Sequence, residues 1–128
     1  ASRTRRNTYR ADSRMQEAKN VEKLVEVTIG GTLSEVKALV EKGVDPTANN
    51  SLGINSMGVA CLSGHLDIVK YFVEEKDVSV DVQDATGQTG LMCAANAGKK
   101  DVAEYLIKKK ANLNAKDKAK GTTPAMWA

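Results

Sequence analysis

The sequence predicts an all-α solenoid, in which helix–turn–helix units stack side by side and hairpin loops protrude from the stack. One segment occurs three times, starting at Gly53, Gly87 and Gly121, so that successive copies begin 34 residues apart. A recurrence of this length is typical of proteins built from one stacked structural unit. We expect the 128 residues to form a single compact domain.

The first predicted helix begins at Ser13. Ser13 and Gln16 have the spacing of a capping box. In this motif the side chain of each residue accepts a hydrogen bond from the backbone N–H of the other. Apolar residues follow at helical intervals, namely Met15, Ala18, Val21, Leu24 and Val25. We expect Gly30 and Gly31 to end this helix, which replaces the usual opening of a unit.

Each repeated unit is predicted to open with an inner helix of small residues, at 57–61 and again at 91–95. Small side chains let neighbouring helices approach closely. Gly64 and Gly98 stand where these helices must end, because glycine readily adopts the left-handed conformation of a C-terminal cap.

Outer helices with a shared template are predicted to follow, at 33–41, 66–74 and 100–108. In the first of them Val36, Leu39 and Val40 form a stripe that buries one face. One position near each helix start carries a short oxygen side chain that can cap N–H groups or face the positive end of the helix dipole: Ser34, Asp67 and Asp101.

These residues resemble the ankyrin repeat. The family's Gly-x-Thr-Pro-x-x-x-Ala element matches residues 121–128, its Gly-His-Leu-Asp-Ile-Val-Lys element matches 64–70, and its return loop matches 111–117. The resemblance extends over about residues 21–128. It implies a non-catalytic domain that binds other proteins through protruding finger loops and inner helices.

The sequence departs from the family pattern in two ways. The family's histidine in the Thr-Pro-Leu-His element is replaced by Gly58, Met92 and Met126, which implies the loss of a hydrogen bond between neighbouring repeats. Two copies also have one residue more than the usual 33, which we place in the return loop. We expect a slightly loosened stack with the same fold.

The expected domain organisation follows from these boundaries. Residues 1–12 form a basic flexible arm, and residues 13–128 form the repeat domain. Within that domain we expect a cap-like unit, two full repeats and a partial repeat, at 13–52, 53–86, 87–120 and 121–128.

Charge is unevenly placed along the chain. The net charge is +4 over residues 1–20, −6 over residues 21–98 and +5 over residues 99–128. The basic C-terminal part can attract an acidic protein or an anionic surface, or its lysines can simply be solvated at a helix end. No apolar run approaches the ~20 residues needed to cross a bilayer.

Catalysis, cofactors and metals are not expected. His65 is the single histidine, and the resemblance assigns it a structural role in a turn, so neither a zinc site nor a nucleophile–histidine pair can be assembled. Cys61 and Cys93 are offset by one helical position in successive repeats, which does not suit the narrow geometry of a disulfide. We therefore expect two buried free thiols in a reducing compartment. Nucleic acid is not expected as a partner, since Trp127 and three tyrosines form no stacking platform interleaved with basic residues.

The resemblance places a partner on three fingers, at 49–54, 84–88 and 116–122, and on the inner helices. The candidate contact residues are Asn50, Leu52, Ile54, Gly58, Leu62, Asp84, Thr86, Gln88, Met92, Asn96, Lys116, Lys118, Lys120, Thr122 and Met126. Leu52 and Ile54 are apolar where polar residues are more common. Either they contact a partner or they pack on the neighbouring finger.

Two functions remain open at this point. The chain is an adaptor or scaffold of the cytoplasm or nucleus, or it is a permanent accessory subunit of a large assembly. The second reading includes an organelle interior, because Arg3, Arg5, Arg6, Arg10 and Arg14 give the N-terminus the composition of a transit segment.

Overall fold

The computed structural model describes the backbone of residues 2–111 and the side chains of residues 13–111. Its helices are α1 (Ser2–Gly30), α2 (Leu33–Glu41), α3 (Ser56–Ser63), α4 (Leu66–Lys70, continued by a π-helical turn over Tyr71–Glu75), α5 (Gly90–Asn96) and α6 (Lys100–Lys108). Helices α1, α3 and α5 pack side by side as an inner layer, and α2, α4 and α6 form an outer layer against them. This is the predicted all-α solenoid.

Helix α1 is longer than predicted, because it begins at Ser2 and not at Ser13. Residues 2–12 contain neither proline nor glycine, so nothing in the sequence stops the helix before Ser13. Gln16 makes no capping box and instead donates a side-chain hydrogen bond to Asn20 Oδ1 at 3.0 Å. The separate basic arm over residues 1–12 stays a prediction.

The inner helices end where the sequence predicts. Gly31, Gly64 and Gly98 follow α1, α3 and α5 with φ of +76°, +76° and +70°. At the other end of the two short helices a side-chain oxygen caps the first turn: Asn55 Oδ1 accepts from the Gly58 N–H at 2.7 Å, and Thr89 Oγ1 accepts from the Met92 N–H at 3.3 Å.

The outer helices bury the predicted stripe. Val36, Val69 and Phe72 have no exposed surface, and the predicted capping position lies inside the first helical turn. Asp67 of that position accepts a hydrogen bond from the Ile68 N–H at 2.9 Å. Burial of these side chains between the layers holds each unit together.

The extra residue of the unit that begins at Gly53 lies in its outer helix, so the predicted insertion in the return loop is wrong for this unit. Each outer helix is followed by one residue with positive φ: Gly43, Asp77 or Lys110. That residue comes ten positions after the helix start in the first and third cases and eleven in the second. The π-helical turn over Tyr71–Glu75 takes up the additional residue, because a π turn closes one residue later than an α turn.

Side chains connect neighbouring units on both layers. His65 Nε2 donates a hydrogen bond to the Ile29 carbonyl of α1 at 3.1 Å, so this histidine has a structural role between units. On the outer layer the Tyr71 hydroxyl donates to Glu41 Oε1 at 2.9 Å, and Lys76 Nζ lies 2.7 Å from the same oxygen. Burial, followed by this contact with Glu41, raises the pKa of Tyr71 to about 12.

The inner helices approach closely where small residues meet. A Cβ atom added to Gly90 would lie 2.7 Å from Cys61 Sγ, and one added to Gly58 would lie 3.8 Å from Cys93 Sγ. Both cysteines are buried and free, as predicted. Burial raises the pKa of both thiols, that of Cys93 to about 12, so neither is a thiolate at neutral pH.

Candidate protein-binding surface

The structure describes two of the three predicted fingers: finger 1 at residues 49–54 and finger 2 at residues 84–88. Both protrude from the stack before the start of an inner helix. The candidate residues Lys116, Lys118, Lys120, Thr122 and Met126 lie outside the described residues.

Finger 1 is organised by the amide side chain of Asn50. Its Oδ1 accepts from the backbone N–H groups of Leu52 at 2.9 Å and of Ile54 at 3.1 Å. The Asn50 N–H also donates to the Ile54 carbonyl at 2.8 Å, which closes the hairpin. Gly53 takes a φ of +79° inside it. This is the side-chain-supported turn for which asparagine is favoured.

Finger 2 repeats the design with a carboxylate. Asp84 Oδ1 accepts from the Thr86 N–H at 2.8 Å, the Thr86 hydroxyl at 2.6 Å and the Gln88 N–H at 3.1 Å. Asp84 is only 8% exposed. Its prediction as a contact residue is therefore wrong, because the side chain turns inward to satisfy the hairpin's own N–H groups.

The two fingers are joined edge to edge. The Ala85 N–H donates to the Gly53 carbonyl at 3.0 Å. A Cβ atom at Gly53 would lie 3.0 Å from Ala85 Cβ, so only glycine lets the fingers come this close. Neighbouring tips therefore form one continuous edge.

A carboxylate of α1 fixes finger 1 from the other side. Glu22 Oε1 accepts from the Ser51 N–H at 3.0 Å and from the Ser51 hydroxyl at 2.7 Å, and Glu22 Oε2 accepts from Asn50 Nδ2 at 3.5 Å. The Ser51 backbone hydrogen bond, followed by that of the hydroxyl, holds the pKa of Glu22 below its usual 4.5. Sequence analysis missed this residue, because no local pattern connects positions 29 residues apart.

The apolar residues of finger 1 differ in exposure. Leu52 is 78% exposed and Ile54 is half-buried. The alternative that Leu52 packs on the neighbouring finger is therefore wrong. Of the two candidates on finger 2 besides Asp84, Thr86 is exposed and Gln88 is half-buried.

The inner helices present fewer contact positions than predicted. Leu62 is 45% exposed and Asn96 is exposed, while Gly58 is half-buried. Met92 has no exposed surface, so its prediction as a contact residue is wrong: it lies on the side of α5 that packs into the stack. Ile29 of α1 is 57% exposed and was not predicted as a contact residue. It lies two residues before the glycine that ends its helix, as Leu62 does.

The exposed part of this surface is made of polar and aliphatic side chains. Among the residues that the structure describes, no group of three metal-ligating side chains comes together. None of the helices in the described part of the chain is long and apolar enough to cross a membrane. The surface offers hydrogen-bonding tips and isolated aliphatic side chains, which suit contact with another protein.

Comparison with known proteins agrees with this geometry. A family model described as ankyrin repeats in three copies matches residues 24–117 and 76–128. A stack of paired helices with hairpin fingers is a helical-repeat protein-interaction domain. The chain belongs to the ankyrin-repeat family, whose repeats are protein–protein interaction modules.

Individual relatives are much longer than this chain. It is 34% identical over 95 residues to the palmitoyltransferase AKR1 of Lachancea kluyveri, which is 72% of this chain and 13% of that protein. It is 29% identical, in an alignment 122 residues long, to the ankyrin repeat and SAM domain-containing protein 6 of Danio rerio, with coverage of 69% of this chain and 16% of that protein. It is 31% identical over 93 residues to the E3 ubiquitin-protein ligase KEG of Arabidopsis thaliana, covering 73% of this chain and 5% of that protein.

Proposed function

We propose that this chain is a non-catalytic adaptor or scaffold that binds a partner protein through its finger tips and the exposed ends of its inner helices. The observation that carries the proposal is the edge formed by fingers 1 and 2. Their backbone groups are already paired by Asn50, Asp84 and Glu22, so the tips can meet a partner without further ordering. The enzyme names of the relatives describe proteins of which this chain covers a small part.

A second candidate is a permanent accessory subunit of a large assembly. The uneven charge favours it: Lys99, Lys100, Lys108, Lys109 and Lys110 are all exposed around α6. Such a cluster suits a fixed contact with an acidic protein or an anionic surface. The adaptor belongs in the cytoplasm or nucleus, and the subunit can also belong in an organelle.

Native isolation distinguishes the two candidates. The untagged protein is purified from its source under mild conditions, and the mass of the particle that carries it is measured. A partner that exchanges on dilution supports the adaptor, and a large particle of fixed stoichiometry supports the subunit. A protein that is recovered free, with no associated protein at any concentration, would contradict both.

A further inference from the structure

Finger 1 holds a large apolar side chain in water. Leu52 is 78% exposed, more than any other large apolar residue in the part of the chain that the structure describes. One exposed leucine is common on protein surfaces and means little alone. Leu52 differs from an ordinary exposed leucine in two ways: its backbone is held in place by hydrogen bonds, and the side chains around it are uncharged.

The side chain of Leu52 is not part of the hydrogen bonding that closes its hairpin. The equivalent residue of finger 2 is Thr86, whose hydroxyl bonds to Asp84 Oδ1 at 2.6 Å and so helps to close the turn. In finger 1 only the backbone N–H of Leu52 is used, by Asn50. The hairpin therefore does not need a leucine side chain at this position.

The backbone under Leu52 is fixed on three sides. Asn50 holds it from within the finger, Glu22 of α1 holds the preceding Ser51, and Ala85 of finger 2 bonds to the following Gly53. A contact residue on a fixed backbone loses less conformational freedom on binding, which raises affinity. A few side chains buried in well-packed, desolvated pockets of the partner carry most of the binding energy of protein interfaces.

The neighbours of Leu52 on the joined edge carry no charge. Asn49, Ser51, Ala85 and Thr86 are uncharged, and the negative charge of Glu22 lies against Ser51, where Glu22 Oε1 accepts from the Ser51 N–H and hydroxyl. None of these four side chains offers Leu52 a charged group for a salt bridge with a partner, so an apolar pocket fits the leucine.

We propose that Leu52 is the anchor of the binding surface and inserts into an apolar pocket on a partner protein, a pocket rimmed by uncharged hydrogen-bonding groups. Glu22 is a positioning residue that holds finger 1, and thereby Leu52, in the orientation for insertion. This inference rests on the adaptor function proposed above and names the residue and the chemistry of its contact.

The first test measures affinity for the protein that co-purifies stoichiometrically with the wild-type chain, used as the purified probe. Leu52→Thr installs the residue of finger 2 and should weaken binding roughly 10- to 30-fold, the loss expected of an interface anchor. Ile107→Thr, the same kind of change at an exposed position of α6, is the matched control and should change affinity less than about threefold.

Ionic strength adds a second readout. The ratio of the dissociation constants of Leu52→Thr and wild type should stay constant as salt is raised, because an apolar contact is not screened. A joint charge reversal at Lys116, Lys118 and Lys120 should instead give a ratio that falls with salt. A Leu52→Thr ratio that falls with salt would show that the contact is electrostatic and would overturn the proposal.

The positioning role of Glu22 is tested on the isolated chain. Glu22→Ala should speed hydrogen exchange of the Ser51, Leu52 and Ile54 amides at least about fivefold, since it removes the hydrogen bonds that hold finger 1. Glu26→Ala is the control, because no hydrogen bond from Glu26 to either finger is found among the described residues. Unchanged exchange in Glu22→Ala would remove Glu22 from the proposal.

The outcomes separate the two levels of inference. A partner that binds wild type and Leu52→Thr equally overturns the anchor and leaves the adaptor function intact. A partner lost with Leu62→Ala and retained with Leu52→Thr places the anchor on the inner helices instead. Failure to find any partner contradicts the adaptor function itself, whatever the exchange experiment shows.

Discussion

Small residues allow the inner helices of neighbouring repeats to pack closely. Gly90 faces Cys61 Sγ, and a Cβ atom there would lie 2.7 Å away, closer than carbon and sulfur atoms can approach. The glycine is therefore required by its neighbour in the preceding repeat and not by its own backbone, since Gly90 lies within α5 and has no positive φ.

A double-mutant cycle tests this contact. Gly90→Ala alone should lower the free energy of unfolding by about 1–3 kcal/mol through overpacking, and Cys61→Ala alone by about 1 kcal/mol through lost contacts. The double variant should recover most of the loss, because alanine at position 61 removes the obstructing sulfur. Urea unfolding measures all four stabilities. Additive losses would show that the two residues do not collide.

Glu22 makes stability depend on pH. Its pKa is lowered in the folded chain, so its contribution is present above the unfolded value near 4.5 and is lost as pH falls through the folded value. The stability difference between wild type and Glu22→Ala should therefore be largest near neutral pH and should shrink below about pH 4.5. Urea midpoints across this range measure it, and a difference that grows in acid would contradict the hydrogen-bond assignment.

Residue-level predictions from sequence succeeded where the local chain decides the outcome. Gly64 and Gly98 were predicted to end helices, since a left-handed cap depends on the residue itself. Met92 and Asp84 were wrongly placed on the surface, because their direction is set by partners elsewhere in the fold: the stack for Met92, and the N–H groups of Thr86 and Gln88 for Asp84.

At the scale of elements, each outer helix ends in one left-handed residue, and the three units fill that position differently. Gly43 adopts a φ of +105° without strain, whereas Asp77 and Lys110 are held at +53° and +65°. Side chains with a Cβ atom disfavour this region by roughly 1 kcal/mol. The ends of α6 and of the π-helical turn therefore carry strain that the end of α2 avoids.

Replacing Lys110 with glycine should relieve that strain. We expect Lys110→Gly to raise the free energy of unfolding by about 0.5–1 kcal/mol. Lys109→Gly is the control, because Lys109 has a φ of −85° and a glycine there relieves no strain. That change should destabilise the protein, since it adds freedom to the unfolded chain and removes the contacts of Lys109 with Glu74 and the Tyr105 ring. Thermal and urea unfolding compare the two variants. The idea fails if both variants are destabilised alike.

Element positions were largely predictable, since apolar periodicity and glycine spacing are written into each unit. The placement of the extra residue was not. A single added residue can be absorbed in a loop or in a helix, and the choice depends on packing of Tyr71 and Phe72 against the neighbouring unit, which one segment of sequence does not contain.

At the scale of the whole molecule, stability is shared between neighbours. Helix α3 packs against α1 on one side and α5 on the other, and also against α4. In a solenoid the stability of a unit depends on the interfaces that it makes with the adjacent units. An inner helix enclosed in this way is therefore the hardest to open.

Hydrogen exchange should report this gradient. We expect the slowest amides in α3 and faster ones in α2, which contacts α1 but few residues of α4. Met57→Ala, a truncation of a fully buried side chain in α3, should destabilise the protein by about 2–5 kcal/mol and speed exchange in α1 and α5 as well. An effect confined to α3 would mean that the units open independently.

The π-helical turn over Tyr71–Glu75 has a consequence for how the chain tolerates changes of length. Because the added residue is taken up before Asp77, Gly87 lies ten positions after Asp77, as Gly53 lies ten positions after Gly43. The extra residue lengthens the outer helix only, and the distance in sequence from the left-handed residue to the next finger stays the same. Insertions made in this turn should thus leave the spacing of the binding edge unaltered, which marks it as the place where the scaffold can be lengthened.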